Sequence, residues 1–180
     1  MKEFTFSKRN TILILLIIFL TGAGILLIQQ FSHQSSGGAA TPSPEETEIT
    51  NAAVAGTQAF FQINVNEGKD VWLKRFCAAS TENGCAFVRM GADRLWQKYQ
   101  EAKTSVQAEV HALERVSTTA SEQVWRVAIQ LTEPLPGSNK IEDEAYVLVV
   151  KMDGGWKFDR FLLEPEVQVL KERTSQKDQQ

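Results

Sequence analysis

The sequence predicts an α+β domain of three helices followed by a four-stranded antiparallel sheet and a short C-terminal helix, carried outside a membrane on one N-terminal span. Three observations lead there. Residues 11–28, TILILLIIFLTGAGILLI, contain no charge. From Ser43 to Ala102 apolar residues recur every three or four positions, and from Val106 onward they alternate every second residue, which is the change from helix to strand. Late in the chain, Asp153-Gly154-Gly155 stands between two apolar runs, the signature of a hairpin.

The charge-free stretch comes first. A helix crossing the hydrocarbon core needs roughly 17 to 25 apolar residues, and backbone groups inside lipid must be bonded internally, so residues 11–28 are read as a transmembrane helix. Lys2, Lys8 and Arg9 precede it and the first charge after it is Glu45. That asymmetry puts residues 1–10 in the cytoplasm as a short tail and everything after the span outside. The competing reading is a cleaved signal peptide ending near Thr21-Gly22-Ala23. The apolar run continues through Ile28, too long for such a leader, which favours an uncleaved anchor. Gly22 and Gly24 lack the spacing of a small-residue pairing motif, so helix dimerisation in lipid is not indicated.

Residues 29–43, rich in Gln, Ser and Gly, have linker composition, and the lone His33 within them carries no ligand pattern. Residues 44–172 then have the length of one exterior domain, followed by a polar tail at 173–180. At 43% hydrophobic and 23% charged residues, the chain has the composition of a protein with a packed core. Its net charge of −3 falls to about −5 once the basic N-terminal flank is set aside, which argues against direct nucleic-acid binding. Only Cys77 and Cys85 are present, both on the side where disulfides persist, and one bridge between them is predicted. No histidine lies close enough to make a metal site of the pair, and neither metal nor cofactor is expected.

The first helix starts at Ser43-Pro44-Glu45-Glu46, with Ser43 as N-cap, Pro44 in the first position and Glu46 closing a capping box. Its apolar stripe is Ile49, Ala52, Ala53, Gly56, Phe60 and Ile63, ending before Asn66-Glu67-Gly68. A second helix over about 69–79 faces inward with Trp72, Phe76 and Ala79, up to a turn at Thr81-Glu82-Asn83-Gly84. A third, over about 86–102, uses Val88, Ala92, Leu95 and Tyr99. A Cys77 to Cys85 bridge would tie the second helix to the third. Strands follow: Val106, Ala108, Val110 and Ala112 in the first; Trp125, Val127, Ile129 and Leu131 in the second; about 145–152 and 156–163 in the third and fourth. Pro134-Leu135-Pro136-Gly137 is a loop. Pro165 and Glu166 open the terminal helix, with Val167 and Leu170 inward.

The order of a long first helix, a tryptophan-bearing second helix and late strands ending in a Gly-Gly-Trp hairpin resembles the nuclear-transport-factor-2-like cone fold. With one N-terminal span and an exterior domain, the chain looks more narrowly like the bitopic VirB-type and TcpC-like components of conjugative type IV secretion systems. Where some Gram-negative members carry an Asn-Pro-x-Gly turn, this chain has Pro134-Leu135-Pro136-Gly137. The resemblance implies a cone-shaped domain on a curved sheet. It implies a scaffold in the cell membrane that holds other protein components of a membrane assembly, with self-association as a further expectation. The same fold also hosts isomerases and dehydratases, so the alternative is an exterior cone domain that binds a small ligand or peptide, or acts on one.

Candidate chemistry is sparse. An acid or base with a tyrosine inside an apolar pocket would draw on Asp93, Tyr99, Tyr146 and Asp159. Asp159 is more simply paired with a neighbouring cation, and His111 beside Glu109 falls on a polar strand face. No serine, histidine and aspartate set and no phosphate loop is visible, so the chain is read as a non-enzyme. Trp72, Phe76, Trp96, Tyr99, Trp125 and Trp156 have two readings, the lining of a pocket or interaction site and the core itself. Two or more of them reaching solvent in one concave patch would decide for the pocket.

Overall fold

The computed structural model of the chain describes residues 43–177, and the side chains of 43–174. The predicted span 11–28 and most of the predicted linker lie outside the described residues. Within them the chain is α+β, with four helices and one antiparallel sheet: α1 (Pro44–Phe61), α2 (Lys69–Ala79), α3 (Glu82–Ala102), β1 (Ala108–Thr118), β2 (Glu122–Leu131), β3 (Glu142–Met152), β4 (Gly155–Leu162) and α4 (Glu164–Lys177). Among these helices none is long and apolar enough to cross a membrane.

α1 begins as its sequence dictates. The Ser43 Oγ accepts the Glu46 backbone N–H at 3.1 Å and Pro44 occupies the first position, where its missing N–H costs nothing. The helix stops at Phe61 rather than reaching Ile63, because Ile63 exchanges two backbone hydrogen bonds with Val106, at 2.8 and 2.7 Å. α3 starts at Glu82, four residues before its predicted start. The segment Thr81-Glu82-Asn83-Gly84 is the cap and first turn, with the Thr81 hydroxyl accepting the Gly84 N–H at 3.0 Å. α4 continues through Lys177, so residues 173–177 are helical instead of a tail.

The four strands form a meander in the order β1-β2-β3-β4. α1 lies against all four and most extensively against the two edge strands, so the sheet curls around it. Trp125, Val127, Ile129, Val147, Val149 and Phe158 face this inner side and pack with residues of α1, α2 and α3 in one buried cluster. The partly buried Phe60 packs against this cluster, edge-on to Phe61 and Phe161 at 5.1 Å, to Phe76 at 5.8 Å and to Trp72 at 6.1 Å. Such T-shaped pairs add about 0.5–1.5 kcal/mol each beyond the area they bury. Two glycines allow the close approach. A methyl group at Gly56 would overlap the Phe158 side chain, and one at Gly84 would overlap the Asp159 carbonyl.

The outer side of the sheet carries a second, smaller cluster of Val124, Leu148 and Leu162, covered by Val167 of α4. The chain reaches that side because α4 starts two residues after β4 ends and folds back. Glu166 makes the corner: its carboxylate accepts the Leu163 N–H at 2.9 Å and pairs with Arg160 at 2.6 Å. Farther along α4, Thr174 and Ser117 of β1 are hydrogen-bonded at 2.7 Å.

Both sheet edges are blunted. On β4, Thr81 donates its N–H to the Phe158 carbonyl at 2.8 Å, and Glu48 of α1 accepts the Trp156 N–H at 3.1 Å. On β1, register shifts make Leu113 and Val116 extra residues, and two bulges bend the strand away from straight pairing.

Candidate functional site

The six aromatics singled out from sequence are brought together, but inside. Trp72, Phe76, Trp96, Tyr99, Trp125 and Trp156 are each at most 7% exposed and belong to the inner cluster. Trp72 stacks on Trp96 with centroids 6.0 Å apart and donates its Nε1–H to the Phe60 carbonyl at 3.0 Å. Trp125 donates to Gln123 Oε1 at 3.1 Å. Burial pushes the Tyr99 hydroxyl up to about 12. Trp156 borders a shallow surface cleft of about 230 Å³ beside the start of α1, and the Lys151 ammonium lies 5.6 Å over its ring.

The four residues weighed for acid and base chemistry do not converge. Asp93 is on the solvent side of α3, bound to Lys69. Tyr99 points into the core, and Tyr146 packs into the outer cluster under α4. Asp159 is the extra residue of a bulge in β4, since Phe158 faces Val149 and Arg160 faces Leu148. The bulge turns its carboxylate sideways, where it accepts the Thr81 hydroxyl at 2.5 Å, with Arg160 at 3.7 Å. Asp159 therefore fixes the cap of α3 to the sheet edge. His111 is exposed and 3.1 Å from Glu109.

Cys77 and Cys85 are disulfide-bonded, with a Cα separation of 4.8 Å, and link the end of α2 to the first turn of α3. Beside them a groove of about 830 Å³ separates α3 from the β3–β4 hairpin, with Ala86 and Arg89 on one side and Met152 and Lys157 on the other. Glu82 and Asp153 also line it, so its charge is balanced.

Charge is distributed unevenly elsewhere. The first turn of α1 acts as an acidic clasp: Lys151, hydrogen-bonded to Glu45, holds that carboxyl below the ordinary range, and Glu46 faces Arg115 at 3.8 Å. Hydrogen bonding from Arg75 likewise lowers Glu67. On the outer face of the sheet, the half that α4 leaves open is acidic. Glu109, Glu142 and Glu144 surround a shallow concavity of about 640 Å³ above Ala128, while Asp143, paired with Ile129, lies on the inner side at the start of β3. Arg126 beside it is shared by Glu114 at 3.0 Å and Glu144 at 2.7 Å.

The sequence reading passed over the outward side of α3. Phe87 is 63% exposed and Met90 80% exposed, and Arg94 continues the same face one turn on. The signal was present: Phe87, Met90 and Arg94 have helical spacing on the side opposite to Val88, Ala92 and Tyr99. The outer cluster also left a trace, because Val147-Leu148-Val149-Val150 is a continuous apolar run, the pattern of a strand covered on both faces.

No family model and no curated protein matches the chain. Among solved structures it is similar to a domain of unknown function with a cystatin-like fold from Nostoc punctiforme PCC 73102, at 14% identity and a TM-score of 0.41, over 75% of this chain and 88% of that one.

Proposed function

We propose that the chain is a single-pass membrane-anchored scaffold: residues 11–28 cross the cell membrane from a cytoplasmic N-terminus, and the α+β domain stands outside as a cone-fold interaction module. In this reading it holds other protein components of a membrane assembly, as structural components of conjugative type IV secretion machines do. The observation that carries the proposal is where the large apolar side chains lie. Trp72, Phe76, Trp96 and Tyr99 fill the interior that a ligand-binding or catalytic cone would keep hollow, whereas Phe87 and Met90 stand out in solvent. Singly exposed apolar side chains are ordinary, but Phe87 and Met90 stand one turn apart on the same side of α3, and contiguous apolar patches among polar neighbours are where proteins make contact. The dispersal of Asp93, Tyr99, Tyr146 and Asp159 over separate environments supports the same reading, because general acid and base groups must meet at one substrate.

The experiment is a topology fusion. Alkaline phosphatase joined after Gln180 is expected to be active and a cytoplasmic reporter at the same point silent. Activity of the cytoplasmic reporter would overturn the exterior placement and the scaffold role with it.

A further inference from the structure

The Cys77–Cys85 bridge ties α2 to α3, and it also borders open space. Both cysteines line the groove of about 830 Å³ between α3 and the β3–β4 hairpin. The two ends of the bridge are unlike. Cys77 is half-buried in the last turn of α2, while Cys85 is buried in the first turn of α3. Carbonyls at a helix end disfavour a negative charge and amides at a helix start favour one, so a thiolate is better stabilised at Cys85 than at Cys77. The charged neighbours of Cys85 on its own helix leave that difference standing, because Glu82, one turn before it, and Arg89, one turn after it, offset each other.

The groove has a charge pattern of its own. Each wall carries one anion and one cation, Glu82 and Arg89 on α3 and Asp153 and Lys157 on the hairpin, and among the described residues none of the four is held in an ion pair. Met152, 44% exposed, adds apolar surface between them. The volume is that of a small-ligand site, and a short molecule bearing both signs of charge finds a partner on either wall.

We propose that the bridge is a reversible capture site for a short peptide thiol of the glutathione kind, held in this groove. The thiol gives its proton to water and its thiolate attacks Cys77 Sγ, the more accessible sulfur. A new S–S bond forms between the peptide and Cys77, the Cys77–Cys85 bond breaks, and its electron pair leaves on Cys85 Sγ as the better stabilised thiolate. One disulfide is consumed and one is made, so the peptide thiol is the reductant and no further oxidant enters. Attack of the Cys85 thiolate on Cys77 Sγ reverses the step and releases the peptide. While the peptide is held, α2 and α3 are no longer covalently tied. The inference stands apart from the scaffold reading, since it needs neither a membrane nor a partner protein.

The test incubates the oxidised full chain in detergent with glutathione near neutral pH, quenches early time points with acid, alkylates free thiols and maps the products by peptide mass spectrometry. The expected product carries one glutathione on Cys77 and a free thiol at Cys85. Its initial rate levels off as glutathione is raised, as binding before exchange requires, whereas the rate of bridge opening by β-mercaptoethanol stays proportional to concentration. Arg89→Gln with Lys157→Gln, neither side chain being buried, is expected to raise the half-saturating glutathione concentration on the order of tenfold with the adduct still on Cys77, circular dichroism checking the fold. Adducts on Cys85, or on both cysteines alike, overturn the proposal. So do a bridge that glutathione leaves closed, a glutathione rate that never levels off, and a double variant that saturates like the native chain. The topology fusion reads none of these steps, so its outcome and this one are independent.

Discussion

The two faces of the sheet obey the same packing rules and end in opposite states. The inner face meets three helices and carries the main core, with Phe60 against Trp72 and Phe76, and Phe76 against Phe158. Among the described residues the outer face meets only α4, which closes off Val124, Leu148 and Leu162. The sequence beyond it is accordingly Glu109, Glu142 and Glu144, since an uncovered strand face must be polar. The contrast separates two tasks: the inner layer holds the fold together, and the outer layer together with the solvent side of α3 is what remains for contact with other molecules.

The comparison breaks most visibly on the inner side. Phe158→Ala removes a fully buried ring facing Gly56 and Phe76, and is expected to cost about 3–5 kcal/mol in denaturant unfolding, a large share of a small domain's stability. Replacing Cys77 and Cys85 together by serine should cost about 2–3 kcal/mol, because the bridge closes a short loop, and calorimetry in oxidising and reducing buffer measures it.

The outer layer should respond more weakly and locally. Val167→Ala is expected to cost about 1–2 kcal/mol, with hydrogen exchange accelerating in α4 while β2 stays protected. The smallest effects come from pH, and the faces should fail at opposite ends. The Glu166 carboxyl is lowered, first by the Leu163 N–H it accepts and then by Arg160. Its contribution is full above the ordinary value of 4.5 and is lost as pH falls through the lowered one, so exchange in α4 should rise on the acid side first. Tyr99 runs the other way. With its pKa pushed up to about 12, its neutral burial is fully favourable below the ordinary 10.0 and is lost as pH rises through 12, so inner-face unfolding should track alkaline pH in tryptophan fluorescence.

Much of the inner layer was legible because each signal was local. Ser43-Pro44 marked the start of α1, the period-two alternation from Val106 marked the sheet, and Asp153-Gly154-Gly155 marked the β3–β4 turn. Where reading by residue stopped short, the deciding partner was distant in sequence. Ile63 left the helical stripe because Val106 offered a backbone pairing, and Thr81 became a helix cap with its hydroxyl held by Asp159, 78 residues away. The β4 bulge that aims Asp159 has no sequence signature, since Phe158, Asp159 and Arg160 read as plain alternation. The stripe on α3 was readable from the helical spacing of Phe87, Met90 and Arg94, whereas the acidic outer sheet face was hidden, because Glu142 acquires meaning only when its neighbours on other strands are known.

The proposed function puts the working part of this protein on a surface held at a membrane and not in a site inside the domain. The most direct test is complementation of conjugative DNA transfer in a strain lacking the chain, measured side by side for three forms: the native chain, a form in which residues 11–28 are replaced by a cleavable leader so that the domain is released, and an anchored form carrying Asp159→Asn with Tyr99→Phe. The account predicts that release abolishes transfer while the anchored substitutions leave it largely intact once folding is verified. A released domain that restores transfer, together with loss of transfer by orders of magnitude in the anchored double variant, would contradict it.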